Sequence, residues 1–369
     1  MYGQAGSCGR GIAMSDNHTG KKSLLPEIAT GERKIEHVRI SLTEDVSGVG
    51  VTSGLEKYRF RHCALPETDF QAISLETSFL GKPVRTPLLI SSMTGGSQAT
   101  GAINERLAAA AEARGWALGV GSVRAAVERE ELAYTFHVRK HAPTIPVIAN
   151  LGAVQLNYGF GAEECRRAVD IAGADMLVLH LNGLQEVFQP EGNTNFSGLL
   201  AKIEQVCRQL EVPVGVKEVG WGIDGETAAL LLEAGVKFID VAGAGGTSWS
   251  QVEKHRSQDP MRRRAAEAFA GWGNPTAECV AEVRKTSAEA GLIGSGGLQS
   301  GVDAAKVLAL GADLAGFGRS MLGPAVESEE ALHAVLAQVE FELRTAMFGI
   351  GAADIAALRA TDRLVRISP

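Results

Sequence analysis

Eight short apolar runs, each trailed by a segment of helical length, recur along the chain between Leu88 and Arg319. They are Leu88–Thr94, Ala117–Ser122, Val147–Gly152, Met176–Asn182, Val214–Val219, Phe238–Gly243, Leu292–Gly297 and Leu314–Arg319. Near-continuous Val, Ile and Leu is the pattern of strands buried on both faces. Amphipathic Ala/Leu/Glu-rich segments lie between them, among them Ala102–Arg114, Ala162–Ala172, Gly225–Ala234 and Val302–Leu310. Pro146 and Pro213 stand just ahead of strands, where a missing N–H is tolerated. Ala-Gly-Ala-Asp at Ala172–Asp175 returns as Leu-Gly-Ala-Asp at Leu310–Asp313, each with a glycine placed to end a helix. Eight strand–helix units over roughly 235 residues predict an α/β fold, a (β/α)₈ TIM barrel, whose usual size is ~250 residues. An open doubly wound sheet is the alternative, but its Gly-x-Gly-x-x-Gly fingerprint after the first strand is missing.

Outside the repeats the pattern changes. Residues 1–30 are rich in Gly, Ser and Asn and lack periodicity, so we expect a disordered tail. No apolar core follows their basic residues, so we expect no secretory signal. Residues 31–369 then form a single domain. Gly31–Glu67 is densely charged, and Arg33–His37 taken alone reads as a solvated helix start. Gln71–Leu80 reads as a strand or hairpin leading into the barrel, and Val326–Met347 as its closing helix. Between the sixth and seventh strands, Gly245–Thr276 is too long for a simple crossover and is expected to act as a lid over the site. It carries Glu253, Arg256, three arginines at 262–264 and Trp272.

Composition narrows the function. A net charge of −7 with no basic stripe argues against nucleic-acid binding, and no apolar run reaches the ~20 residues of a membrane span. Five widely spaced cysteines with no CxxC pair suit a reduced, cytoplasmic setting.

In this barrel the active site lies at the carboxyl ends of the strands. There stand Ser92-Met93-Thr94, Ser122, Asn150, then His180, Asn182, Gln185 and Glu186, Lys217, Gly245-Gly246-Thr247-Ser248, Gly296-Gly297 and Gly318-Arg319. Every strand ends in a polar side chain or a glycine pair, which packing alone does not require. Leu177–Glu186 is the most polar of these ends and is read as the floor of the site. Ser295-Gly296-Gly297 with Gly316-Phe317-Gly318-Arg319 forms the phosphate cradle expected after strands seven and eight. Lys217 is either a strand-tip lysine with its head in water or a cation beside a flavin's N1/C2=O edge. Ser92-Met93-Thr94, Ser122 and Asn150 would hydrogen-bond that ring, although Met93 equally suits plain packing. A protein-built zinc site lacks a second His or Cys at a strand end. One carboxylate beside a histidine and two amides better suits Mg²⁺ shared with phosphates. A Ser/His/Asp hydrolase lacks its Gly-x-Ser-x-Gly elbow.

With these residues laid out, the chain resembles the type 2, FMN-dependent isopentenyl diphosphate isomerases from Arg33 to about Leu322. The motifs are Arg-Lys-x-Glu-His, Ser-Met-Thr-Gly-Gly, His-Leu-Asn-x-x-Gln-Glu, Val-Lys-Glu-Val-Gly-x-Gly, Gly-Ala-Gly-Gly-Thr-Ser-Trp, Trp-Gly-x-Pro-Thr-Ala-Glu and Ser-Gly-Gly. The resemblance implies interconversion of isopentenyl and dimethylallyl diphosphate on reduced FMN, with NADPH as reductant of the flavin and Mg²⁺. It implies FMN contacts from Ser92, Met93, Thr94, Ser122, Asn150, Lys217 and Thr247, with the FMN phosphate on Gly297, Leu298, Gln299, Gly318 and Arg319. The substrate diphosphate would meet Arg33, Lys34, His180 and Asn182, with Gln185 beside the reacting carbons and Glu186 on Mg²⁺. Gln185 and Lys217 are the implied catalytic residues, and a homo-oligomer, tetramer or octamer, is implied too. Gln299 departs from a commoner arginine, and Asn193-Thr194 from a commoner Asp-Arg. Two other readings remain open: a flavin-dependent 2-hydroxy-acid oxidase, which needs a His base and an Arg clamp, and a flavin-storing or phosphate-sensing barrel.

Overall fold

The computed structural model describes residues 25–367, and side chains from Arg33 onward. Eight parallel strands close on themselves in chain order, so the barrel holds and the open sheet does not. The strands are Leu88–Ile90 (β1), Ala117–Gly119 (β2), Val147–Gly152 (β3), Met176–His180 (β4), Val214–Lys217 (β5), Phe238–Asp240 (β6), Gly291–Ser295 (β7) and Leu314–Phe317 (β8). Seven are buried along their whole length, and only β4 surfaces, at His180. Several stop two to four residues short of the apolar runs that announced them, because those last residues turn out of the ladder to line the mouth.

The two Gly-Ala-Asp tetrapeptides do more than end helices. Gly173 sits at φ 57° and Gly311 at φ 116°, conformations that glycine adopts without a Cβ penalty. Arg139 then donates to the Gly173 carbonyl at 2.8 Å and to Asp175 at 2.7 Å, while Asp175 also accepts from the first amide of β3 at 2.9 Å. Arg284 repeats this with the Gly311 carbonyl at 2.8 Å, Asp313 at 2.9 Å and the Leu292 amide at 2.8 Å. Matching ion-pair clips therefore staple β3 to β4 and β7 to β8 at their amino ends, half a barrel apart.

A hairpin, Thr77–Phe79 with Lys82–Val84, closes that amino end. Phe79 drives into the barrel and meets Phe238 edge-on at 5.6 Å, in a layer with Leu89, Ile148, Met176, Ile293 and Leu314. With this end of the barrel interior filled by apolar side chains, the barrel mouth opens at the other.

Over that other end lie a helix from Leu25 to Thr43, called the arm, and two helices of the sixth-to-seventh connection. The first of these, Trp249–Arg256, is the lid helix, and Pro260–Ala268 follows it. The arm starts inside the segment expected to be disordered: residues 25–30 are helical, with Pro26 in the first turn, where its missing N–H costs nothing. Residues 1–24 lie outside the described residues. The arm is no solvated helix either, since Ile40 is fully buried against Val46 and Val252. The closing helix is two, Arg319–Glu327 and Glu329–Ile350. Ser328 is extended between them, and its hydroxyl caps the second by accepting from the Ala331 amide at 3.0 Å. Among the described residues no helix is long and apolar enough to cross a membrane.

Candidate functional site

The residues singled out at the strand ends and in the arm converge on one cavity of about 290 Å³ at the carboxyl end of the barrel, except Gly245 and Ser248 of the sixth strand end, which do not line it. Among the described residues its lining carries five basic side chains, Arg33, Lys34, Arg124, Lys217 and Arg319, against one carboxylate, Glu186. A chain of net charge −7 has thus gathered positive charge into one enclosed cleft, where low-dielectric walls strengthen its pull on anions.

The cations stand at two places. Arg319 opens the helix after β8, beside the glycine loops of β6 and β7. Those loops touch backbone to backbone. A Cβ on Gly246 would stand 2.7 Å from the Gly297 amide nitrogen, and one on Gly297, at φ 76°, 2.5 Å from the Gly245 carbonyl carbon. Gly318 caps the helix N-terminus with nothing within 4 Å of where its Cβ would be. Bare amides, a helix N-terminus and a guanidinium are what a phosphate monoester requires. Along the neighbouring walls, the hydroxyls of Ser91 and Thr94 are buried without a partner among the described residues. Lys217 donates to the Glu218 carbonyl at 2.5 Å, and its register neighbour Asp240, also buried, accepts from Ser295 at 2.5 Å. These features fit FMN. The cradle suits its phosphate, Lys217 and the orphaned hydroxyls suit the polar edge of the ring, and Met93 sits partly buried against the core.

Arg33, Lys34 and Arg124 face the other half of the cavity, formed by the end of β4. His180 Nδ1 donates to Asn150 Oδ1 at 2.7 Å, which leaves the Asn150 amide group free to donate. Burial, then the charges of Lys217, Lys34 and Arg124, draw the His180 pKa down to about 3, so its ring is neutral. Lys34 is held down to about 7, by burial first and then by Arg33 and Arg124. Its ammonium donates to the Ser122 carbonyl at 3.0 Å and lies 5.4 Å over the Phe136 ring. Lys34 is therefore the group poised to gain charge when an anion arrives. Glu186 accepts from Asn182 Nδ2 at 2.8 Å and from the Asn193 amide at 2.5 Å. The second contact is a backbone one, so the departure at Asn193-Thr194 leaves it intact.

One group ties these parts together, and sequence reasoning placed it only in the expected lid, without a partner. Glu253, on the lid helix, is buried; it accepts from His37 Nε2 of the arm at 3.0 Å, from Gln185 Nε2 at 3.4 Å and from Arg256 at 3.2 Å. Burial alone would raise its carboxyl, but the hydrogen bond from His37, the charges of His37 and Arg256, and the Gln185 contact outweigh it and hold the pKa below the ordinary value. Arg256 continues the seam to Glu191 at 2.7 Å and Glu36 at 3.2 Å. His37, Arg124, Gln155, Gln189 and Trp249 also line the cavity. His37 was findable: it lies one helical turn beyond Arg33, hence on the same face.

The family model for FMN-dependent dehydrogenases matches residues 170–365. The isopentenyl-diphosphate delta-isomerase of Oceanobacillus iheyensis is 55% identical over 338 residues, 92% of this chain and 97% of that protein. The enzyme of the same name from a Nostoc species is 51% identical over 92% of this chain and 97% of its own. Among solved structures, mandelate oxidase with (S)-2-phenylpropionate superposes with a TM-score of 0.61 at 20% identity, covering 92% of this chain and 97% of that one. At that identity the likeness speaks for the fold alone.

Proposed function

The chain belongs to the type 2, FMN-dependent isopentenyl-diphosphate delta-isomerase family, and from that membership we propose that it interconverts isopentenyl and dimethylallyl diphosphate on reduced FMN, with NADPH reducing the flavin and Mg²⁺ bound with the substrate. The observation that carries the reading is the division of five cations between two ends of one cavity. One end suits a cofactor phosphate and the other a substrate diphosphate, with the β4 side chains between them.

Reduced flavin supplies the proton exchange that moves a double bond without net redox change. The protein's part is to bind, orient and exclude water. Ser92, Met93, Thr94, Ser122, Asn150, Lys217 and Thr247 hold the ring, and Gly297, Leu298, Gln299, Gly318 and Arg319 hold its phosphate. Arg33, Lys34 and His180 take the diphosphate, His180 as a neutral ring whose Nδ1 is held by Asn150. Gln185, held from behind by Glu253, positions the alkene, and Glu186 takes the cation. The arm and the lid helix close over the alkene and keep water from a carbocation-like transition state. The hydroxy-acid oxidase reading is disfavoured by His180, whose pKa of about 3 makes it a poor base at neutral pH.

We further propose a homo-oligomer, for which Leu65 and Phe341, both exposed, offer apolar surface. A cytoplasmic setting is supported by the free cysteines among the described residues, of which burial pushes Cys165 and Cys279 up to about 12 and Cys207 to about 11. The decisive experiment is anaerobic incubation with isopentenyl diphosphate, FMN, NADPH and Mg²⁺. Dimethylallyl diphosphate should accumulate, and dithionite should replace NADPH. Absence of product under either reductant sinks the proposal.

A further inference from the structure

We infer that Asn182 is a ligand to the divalent cation, its Oδ1 joining the Glu186 carboxylate, and that it is not a donor to the substrate's phosphate oxygens. This rests on the proposal that the diphosphate is bound with Mg²⁺, and it revises the role that the family motif implied for Asn182.

Polarity decides the role of Asn182. A side-chain amide has two N–H donors and one acceptor oxygen. Both donors of Asn182 are spent, on Glu186 Oε1 at 2.8 Å and on Gln185 Oε1 at 3.3 Å. Its Oδ1 is buried in a residue only 4% exposed and has no partner among the described residues. Asn182 lines the cavity, and with both donors paired this oxygen is its one unmatched polar atom. Phosphate oxygens are acceptors and repel such an oxygen, whereas a hard cation seeks it.

The orientation is enforced from outside. An ionised carboxylate only accepts, and Glu253 is kept ionised by His37 and Arg256. It therefore takes the Nε2 of Gln185, at 3.4 Å, and turns the Gln185 oxygen toward Asn182. Reversing the Asn182 amide would set its oxygen against two acceptors, Gln185 Oε1 and Glu186 Oε1. The lid helix thus dictates, through two amides, which atom of Asn182 is left over. Glu186 has spare lone pairs, since each of its oxygens accepts one hydrogen bond. Among the described residues no cluster of three or more His, Cys, Asp or Glu suits a metal. Two protein oxygens with the remaining positions left to phosphate and water is the pattern Mg²⁺ prefers.

The test uses the FMN-loaded protein with Mn²⁺ as the probe. Binding is followed by electron paramagnetic resonance in the presence of inorganic pyrophosphate, and metal-free pyrophosphate affinity is measured in EDTA. Asn182→Ala should weaken Mn²⁺ binding by about tenfold or more, and leave metal-free pyrophosphate affinity unchanged. Asn182→Asp restores an oxygen ligand but sets its second oxygen against Gln185 Oε1 and Glu186 Oε1, so it should recover part of the Mn²⁺ binding lost in Asn182→Ala. Retained FMN absorbance in both variants reports an intact barrel. Unchanged Mn²⁺ affinity in Asn182→Ala, with weakened metal-free pyrophosphate binding in both variants, overturns the assignment. Failure of the native protein to bind Mn²⁺ at all overturns the cation reading itself, and this assignment with it. The two failures differ in whether the native protein responds.

Discussion

His37 Nε2 and Glu253 Oε1 meet at 3.0 Å across the seam between the arm and the lid helix, 216 positions apart in the chain. Behind this contact stands Arg256, and in front of it Gln185. Neither helix belongs to the barrel, so their grip on each other decides whether the mouth is covered. Glu253→Gln keeps the shape and removes the charge that holds His37 and Arg256. The expected result is a fall in kcat/KM of about 10²-fold, the scale of a misplaced reacting group, with the arm cut faster in limited proteolysis.

The same pair predicts an acid limit for closure. The Glu253 pKa is lower in the folded protein than its ordinary value. Its contribution is therefore complete above the unfolded carboxylate value of ~4.3 and is lost as pH falls through the lower, folded value. Arm protection should decline in that acid window in the native protein. In Glu253→Gln that step should be absent, and an identical acid profile in the two would remove Glu253 from this account.

Lys34 gives the opposite slope. Its folded pKa of about 7 lies below the ordinary lysine value, so the folded chain binds fewer protons between them. Stability of the ligand-free protein should therefore rise with pH from about 7 toward ~10.4. Lys34→Met should flatten that rise in urea melts. On the proposed role of Lys34 in holding the diphosphate, pyrophosphate affinity should fall as pH climbs above about 7, with proton uptake on binding visible by calorimetry in buffers of different ionisation enthalpy. In Lys34→Met the affinity should drop and this pH dependence should vanish.

The amino-end clips bear on stability alone. Asp175 holds Arg139, Lys82 and the Val147 amide; Asp313 holds Arg284, Arg359 and the Leu292 amide. No partner is shared. Asp175→Asn and Asp313→Asn should each cost about 1–3 kcal/mol, adding in the double variant because the sites are independent. Turnover should persist, since both residues precede their strands at the end away from the cavity. Coupled losses in denaturant titration would count against two separate clips.

What could be read from the chain alone divides along a physical line. The strands were legible because burial on both faces forces near-continuous Val, Ile and Leu, and the cavity residues because each follows directly from such a run. The repeated Gly-Ala-Asp showed its glycine but not its aspartate, whose partners Arg139 and Arg284 are set by the barrel's closure. Glu253 sits in Gln251-Val252-Glu253-Lys254, which looks like any solvated helix, and only the folded arm supplies the His37 that makes it a hub. The break at Ser328 was hidden because both flanks are helical. Local pattern reports burial well and long-range polar pairing poorly.

Gly246 tests the phosphate cradle directly. A Cβ there would lie 2.7 Å from the Gly297 amide nitrogen and 3.0 Å from its Cα, both backbone atoms with no freedom to swing aside. Either the two loops part, or the added methyl intrudes between amides that an anion needs. Both outcomes spoil the cradle while leaving Lys217 and the ring-facing hydroxyls in place. Gly246→Ala should therefore lose FMN affinity by at least about tenfold, the worth of ~1.4 kcal/mol, and the apoprotein should melt at a lower temperature because backbone has to shift. Riboflavin, which lacks the phosphate, separates the causes: its weak binding should be unchanged by the substitution. Equal losses for FMN and riboflavin would mean that Gly246 serves the ring and that the phosphate lies elsewhere.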